Sequence, residues 1–571
     1  MKNTVELTRH FLPNDFSIPK WEAVDPYFNE LLSRKISSVE ELESWLKDKS
    51  ELDAFLEEDM AWRYIKMNID TRDPHLQERF NFFVQEINPK IAPINNQLER
   101  KLLDSDYLKE LNPDNYFILI RGIQKSVELF REKNIPILTR LEQKSQEFGS
   151  IAAAMSVEID GEKMTIQRAA KLFEETDRSV RETAFEKIST RRLEDKDKLN
   201  QLFSELIADR DEVAQNADYA NYRDYMFDAL GRFDYSPQDC FDFHESIEAV
   251  VMPTINALDQ ERKTLLSVSE LKPWDKSVDL TGKAPLVPFK DAAELIDKSI
   301  TVFNRLDPFF GECLQTMQRL GYLDLESKEG KAPGGFNYPL YESGIPFIYM
   351  NAVGTFRDMV TMMHEGGHAI HSFLMAKLEL VDFQSTPSEV AELASMSMEL
   401  MSMDHWDVFF ENEDELKRAK KEQLVGVLTT LPWVATIDEF QHWVYENPTH
   451  TIEERTNTWN QINSKFSSTV TDWTGWEEAK SNAWQRQLHL YEVPFYYIEY
   501  GMAQLGAVAV WRNYRNNPTK GLEQYKAALK LGYTKSIGEI YEAAGIKFDF
   551  SKAYVKELIE FVINELKSLD Q

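Results

Sequence analysis

Cysteine is nearly missing from this sequence. Cys240 and Cys313 are the two in a chain of 571 residues, too few for a disulfide framework and suited to a reducing compartment. Long apolar runs are absent too: no stretch of about 18 apolar residues occurs, which argues against a membrane-spanning helix. The opening "MKNTVELTRHFLPNDF" has neither the apolar core nor the small-residue cleavage site of a signal peptide. Basic charge is also in short supply, with 65 Lys and Arg against 96 Asp and Glu and a net charge of −31. Such a field repels a phosphate backbone and disfavours nucleic-acid binding. We therefore expect a cytoplasmic protein with neither nucleic-acid nor membrane partners.

What is present reads as a folded protein. Apolar residues make up 43% and charged residues 28%, the balance of a soluble globular chain, and the length suits roughly two to four domains. Helical periodicity dominates. "YVKELIEFVINELKSL" near the C-terminus sets Leu558, Ile559, Phe561, Val562 and Leu566 on one stripe, with Lys556 and Glu557 starting the solvated side. Two segments break the pattern. "KPWDKSVDLTGKAPLVPF" (272–289) holds three prolines and no stripe, which predicts a loop or linker. "KEGKAPGGFNYPLYESGIPFIYMNAVG" (328–354) predicts a small sheet, with a Gly-Gly turn and a strand around Phe347–Met350. We expect an N-terminal helical domain over 1–190 and a catalytic helical domain over 191–571.

Directly after that sheet comes "TMMHEGGHAIHSFLM", with helical spacing. Gly366 and Gly367 together cost a helix about 2 kcal/mol relative to alanine, so something other than helix propensity selects them. His364, Glu365 and His368 form H-E-x-x-H. Residues four apart share a helix face, so both imidazoles can reach one ion, with Glu365 beside the first. A catalytic zinc takes three protein ligands and keeps an open position for water, and Glu365 would accept the proton of that water. The bland alternative is a helix whose histidines only hydrogen-bond in a core, and the glycines weigh against it. Gly367 makes sense where another backbone or a substrate approaches closely.

The third ligand separates zinc-enzyme classes. A metzincin requires Gly at 371 and His at 374, but the chain has His371 and Leu374. A carboxylate on a later helix remains, and "STPSEVAELASMSMELMSM" supplies Glu389, Glu392 and Glu399. Ser385, Thr386 or Ser388 is expected to cap that helix. Glu392 and Glu399 share a face, and spacing leaves the choice of ligand open. The remaining histidines, among them His244 and His442, show no partners at metal spacing. The run Met396, Met398, Met401, Met403 reads as core filling.

The segments "MNAVGTFRDMVTMMHEGGHAIHSF" and "VAELASMSME" resemble the thimet oligopeptidase and oligoendopeptidase F family of zinc peptidases, whose hallmark reads H-E-x-G-H-x-x-H followed by E-x-x-S-x-x-x-E. The resemblance implies one zinc ion per chain, held by His364, His368 and Glu392. Glu399 and Gly367 are then expected in supporting places, and His371 in a supporting hydrogen bond. By its spacing alone, Asp358, six residues before His364, is expected to orient a ligand, with a solvated helix face as the alternative. "LHLYEVPFYYIEYGMAQLGA" is similar to the family's His- and Tyr-rich segment, which implies that His489, Tyr496 and Tyr500 assist the oxyanion. Tyr491 and Tyr497 are left as packing residues. "PWD" (273–275) and "DRSVRETAFEKI" (177–188) carry weaker likeness.

The implied fold is mainly α: a helical ellipsoid split by a deep substrate channel, with a small β-sheet beside the zinc-binding helix in a gluzincin-type site. An extended peptide would pair with the edge of that sheet through Phe347, Tyr349, Asn351 and Gly354. The expected activity is zinc-dependent endopeptidase hydrolysis of short, unstructured oligopeptides. A peptidyl-dipeptidase or carboxypeptidase of the same fold would need a cation for the free C-terminus, and no basic residue stands out near the motifs. A non-catalytic peptide-binding protein with structural zinc would need a fourth, closed ligand, and none is obvious.

Overall fold

The computed structural model describes residues 9–332 and 334–570. Residues 1–8, half of the opening segment on which the signal-peptide reading rests, lie outside this range. Helices hold 70% of the residues and strands 4%, so the class is mainly α, as expected. Among the described residues no helix is long and apolar enough to cross a membrane.

The chain forms two compact units, each assembled from three segments. The first falls within Met1–Glu128, Val287–Lys420 and Gly506–Phe548. Its core begins with the helix Val39–Ile69, which Ser38 caps by accepting from Glu41 N–H at 3.3 Å. That helix buries Leu42, Trp45, Leu52 and Phe55 against Phe28, Leu31, Leu98 and Leu102. Trp45 is accommodated because its indole N–H donates to the Leu31 carbonyl at 2.9 Å.

The second unit falls within Leu129–Leu286, Lys421–Leu505 and Asp549–Gln571. It holds a hairpin of β1 (Ser156–Ile159) and β2 (Glu162–Thr165) and ends in the helix Lys552–Ser568. In that helix Leu558, Ile559 and Val562 are buried while Lys556 and Glu557 are exposed, the stripe read from the sequence. "DRSVRE" and "PWD" meet here. Arg178 grips the Asp275 carboxylate at 2.7 and 3.0 Å, and Arg181 adds a bond to it at 2.9 Å and another to the Trp274 carbonyl at 3.1 Å. Burial opposes the Asp275 charge, but these bonds win and hold its pKa below the usual carboxylate range. Within 272–289 the only regular structure is one turn at Pro273–Asp275, and the chain passes between units at 286–287.

Three further strands, β3 (Leu323–Glu326), β4 (Phe336–Tyr338) and β5 (Phe347–Ala352), make a sheet in the first unit in the order β3-β5-β4. β5 runs parallel to β3 and antiparallel to β4. The expected strand is there, but it is central. β4 covers one backbone edge of β5 over Phe347–Tyr349 and β3 runs along the other, so over these three residues neither edge is open to a peptide, and the part of β5 beyond Tyr349 has no β4 partner. Central placement also explains the near-continuous apolar run Phe347–Met350, all buried.

Candidate metal centre

The helix Phe356–Met375 follows β5 directly. A capping box starts it: Thr355 Oγ1 accepts from Asp358 N–H at 3.2 Å, and the Asp358 carboxylate accepts from Thr355 N–H at 2.9 Å. The same carboxylate accepts from Val353 N–H at 2.9 Å. Asp358 therefore fastens the helix start, and the ligand-orienting place expected for it is corrected.

One turn further on, His364 and His368 remain partly exposed while Glu365, Gly366, Gly367 and His371 are buried. The glycines now have a cause. A Cβ on Gly367 would sit 2.6 Å from Ser395 Cα and 2.9 Å from the Ala394 carbonyl oxygen, and one on Gly366 would run into the Phe303 ring. The second helix, Ser388–Ser402, thus lies against the first with backbone nearly touching backbone. Its N-cap is Pro387 without a side-chain bond, so the expected Ser or Thr cap is not used. Met396, Met398, Met401 and Met403 are all buried.

This close packing brings the ligand set together. His364 Nε2 lies 3.4 Å and His368 Nε2 3.8 Å from the same oxygen of Glu392, and one donor atom from each of the three residues lies within 4.8 Å of the others. Glu399 meets His364 Nδ1 at 2.7 Å, which turns Nε2 toward Glu392. Ser395 Oγ donates to the Glu392 carboxylate at 3.1 Å. Glu389 is buried beside Tyr541, whose hydroxyl donates to its carbonyl at 3.1 Å, and stands outside the cluster.

The electrostatics favour a cation. Burial alone would lower the His364 pKa, but the Glu399 bond and the charges of Glu392, Glu399 and Glu365 outweigh it and push it up to about 10. Burial, aided by Glu392, pushes Glu365 up to about 7 against the pull of His364. Burial also lowers His368, and holds His371 down to about 3. His371 Nε2 is buried without a hydrogen-bond partner, so the supporting bond expected of it is not made through that atom. Two imidazoles and a carboxylate, with an outer acid on one ring, suit zinc.

The four residues expected to touch substrate, on β5 and just after it, also have structural ties. Phe347 and Tyr349 are buried, and the Tyr349 hydroxyl donates to the carbonyls of Asn68 (3.0 Å) and Ala332. Asn351 ties down Ala332 and Gly334 at 2.7 and 2.9 Å. Gly354 takes φ +93° under the Phe289 carbonyl.

In the second unit, His489 rings with three tyrosines, its centroid 5.9 Å from Tyr496, 4.9 Å from Tyr497 and 5.7 Å from Tyr500. A relay sets its tautomer. Trp433 Nε1–H donates to Gln487 Oε1 at 2.8 Å, which leaves the Gln487 amide nitrogen to donate to His489 Nδ1 at 2.7 Å. The ring proton therefore sits on Nε2, and burial lowers the pKa to about 4, keeping the ring neutral. Phe495, just before Tyr496, has φ +69°, a costly conformation for a bulky residue. Arg232, itself buried, holds the Phe495 carbonyl and pairs with Glu499 at 2.7 Å, and Gln441 takes the Phe495 N–H at 2.7 Å. Tyr491 packs face to face on Phe148 at 4.2 Å. Sequence reasoning missed Gln487, Trp433 and Arg232. The only signal was the position of Gln487 two residues before His489.

With this geometry in place, the comparisons bear on identity. The profile of Peptidase family M3 matches residues 171–560, and that of the Peptidase M3 N-terminal domain matches 11–130. The chain belongs to peptidase family M3. An oligoendopeptidase F homolog of Borreliella burgdorferi is 26% identical over 323 residues, covering 55% of this chain and 52% of that protein. A second homolog, from Lactococcus lactis subsp. lactis, is 22% identical over 331 residues, 56% of this chain and 52% of its own length. The chain thus matches about half the length of these curated relatives. Among solved structures, PZ peptidase A with an inhibitor superposes with a TM-score of 0.90 at 26% identity, covering 98% of this chain and 99% of that one.

Proposed function

We propose that the chain is a zinc-dependent endopeptidase that hydrolyses short, unstructured oligopeptides in the cytoplasm. One observation carries the reading: His364, His368 and Glu392 converge within 4.8 Å while Glu365 lies buried next to them. These three residues would hold the ion. When bound, zinc would polarise the scissile carbonyl and acidify a water molecule. Glu365, with its pKa raised to about 7, is matched to accept a proton near neutral pH and return it to the leaving amine. Glu399 keeps His364 in the orientation that presents Nε2. The family resemblance gives His489 and Tyr496 the oxyanion, with Tyr500 beside them, and the Trp433–Gln487 relay prepares His489 as an Nε2–H donor. The three-residue edge strand β4 supplies backbone groups for an extended peptide, and Asn337 on it already reaches the Glu365 carbonyl at 3.3 Å. Two buried cysteines outside any disulfide fit a reducing compartment.

The test is Glu365→Gln assayed on internally quenched peptides. Zinc content is expected to stay at the wild-type level while kcat falls by about 10³-fold or more. Chelation should stop the wild type, and zinc should restore it. Full activity in Glu365→Gln would overturn the reading.

A further inference from the structure

The second unit holds another cluster with metal-binding chemistry. Cys240 and His244 stand four residues apart on the helix Pro237–Ser246, and Asp438 and His442 stand four apart on the helix Glu413–Glu446. Each spacing sets its pair on one helix face, and the two faces meet: His244 Nε2 lies 2.9 Å from Asp438 Oδ2. One donor atom each from Cys240, Asp438 and His442 lies within 4.8 Å of the others. The histidines show metal spacing after all, because their partners are a cysteine and an aspartate rather than a second histidine.

Burial makes the cluster costly as it stands. Cys240 and Asp438 are 0% exposed, His442 2% and His244 4%. Phe241, Phe227 and Phe495 surround the His442 ring at 4.8, 6.1 and 5.4 Å between centroids. Yet Asp438 Oδ1 and both ring nitrogens of His442 have no hydrogen-bond partner. His442 Nε2 is 3.2 Å from Asp438 Oδ2, in an orientation that makes no hydrogen bond. A buried polar atom left without a partner costs about 1–3 kcal/mol, and more if charged. A cation between the two helices would engage Asp438 Oδ1 and one of the two ring nitrogens of His442.

We propose that Cys240, Asp438 and His442 form a second divalent-metal site of the zinc class, with His244 as the residue that orients Asp438. Asp438 Oδ2 accepts from His244 and leaves Oδ1 for the ion, the arrangement of a carboxylate steadied by an outer partner. A thiolate, an imidazole and a carboxylate favour zinc over calcium or magnesium. The Cys240 thiol releases its proton to solvent on binding. Metal bonds of about 2.0–2.3 Å set tetrahedral ligands roughly 3.5 Å apart, so the three donors draw in by about 1 Å. A cavity of about 360 Å³, lined by His244, His442, Glu245, Glu439 and Trp443, adjoins the cluster. It gives the ion an entry path and a fourth, solvent ligand. The bound ion would pin the two helices together.

The two candidate sites differ in sulfur, which makes them separately readable. Purified full-length protein loaded with zinc and dialysed should contain two ions per chain by mass spectrometry of the metal. His364→Ala combined with His368→Ala should retain one, and Cys240→Ser combined with His442→Ala should also retain one. With cobalt in place of zinc, a thiolate-to-cobalt charge-transfer band in the near ultraviolet should appear in the wild type and in the His364/His368 variant, and vanish in Cys240→Ser. The wild-type spectrum needs no substitution, so a misfolded variant does not blunt the test. Wild-type cobalt protein without that band overturns the proposal, whatever the fate of the first site.

Discussion

Two regions carry the chemistry expected of this family, and they are built differently. The His364 cluster stands on two long helices whose backbones nearly touch at Gly367, so its geometry follows from helix packing. The His489 cluster stands on the five-residue helix Leu488–Glu492, a strained turn at Phe495 and the first turn of the helix Tyr497–Asn516, and buried polar ties hold the turn. Regular packing positions ligands through periodicity. An irregular loop needs dedicated residues, each with one task. The first kind of site should therefore fail by losing contact distance, and the second by losing a single bond.

The largest expected effect lies in the loop. Arg232→Met removes the buried ion pair with Glu499 and the bond to the Phe495 carbonyl. A loss of about 3–5 kcal/mol in stability is expected by denaturant unfolding. Tyr496→Phe removes one hydroxyl without disturbing the fold. A fall of about 10²-fold in kcat with unchanged zinc content is expected on quenched peptides. On the helical side, Gly367→Ala pushes a methyl group into Ser395 and Ala394, and about 1–3 kcal/mol should be lost, with weaker zinc retention in chelator competition. The smallest change is Glu399→Gln. It keeps the shape but weakens the His364 hydrogen bond, so zinc affinity should drop about 10–100-fold while the melting temperature of the zinc-depleted chain hardly moves. Were Gly367→Ala as harmless as a surface change, the contrast between the two regions would fail.

The same contrast decides what could be read from the sequence. The helices were legible because apolar spacing states them directly, and H-E-x-x-H was legible because its spacing is the helix period. Even the odd glycines pointed to a close approach, which Ser395 supplies. β5 was found but misplaced in its sheet, because β3 pairs with it in parallel from outside the segment read as a sheet and "LDLE" has no strong strand pattern. Asp358 was visible as the last member of a Thr-x-x-Asp capping box and was read instead for its distance from His364. Cys240 with His244 and Asp438 with His442 obey the same i, i+4 rule as the first motif. A search for paired histidines alone passes over them. The Arg232 tie to Phe495 joins residues 263 apart in the chain and leaves no local trace.

The relay ending at His489 has a chemical corollary. Because an indole hydrogen fixes the orientation of the Gln487 amide, the outer imidazole nitrogen shows visitors a hydrogen and never a lone pair. On the role proposed for His489, a ligand's carbonyl, phosphinyl or hydroxamate oxygen would be accepted at that atom, whereas an ammonium or amide N–H would be turned away. Inhibitor chemistry for this enzyme class would then be chosen by the hydrogen-bond polarity of one atom, which a tryptophan two steps removed dictates.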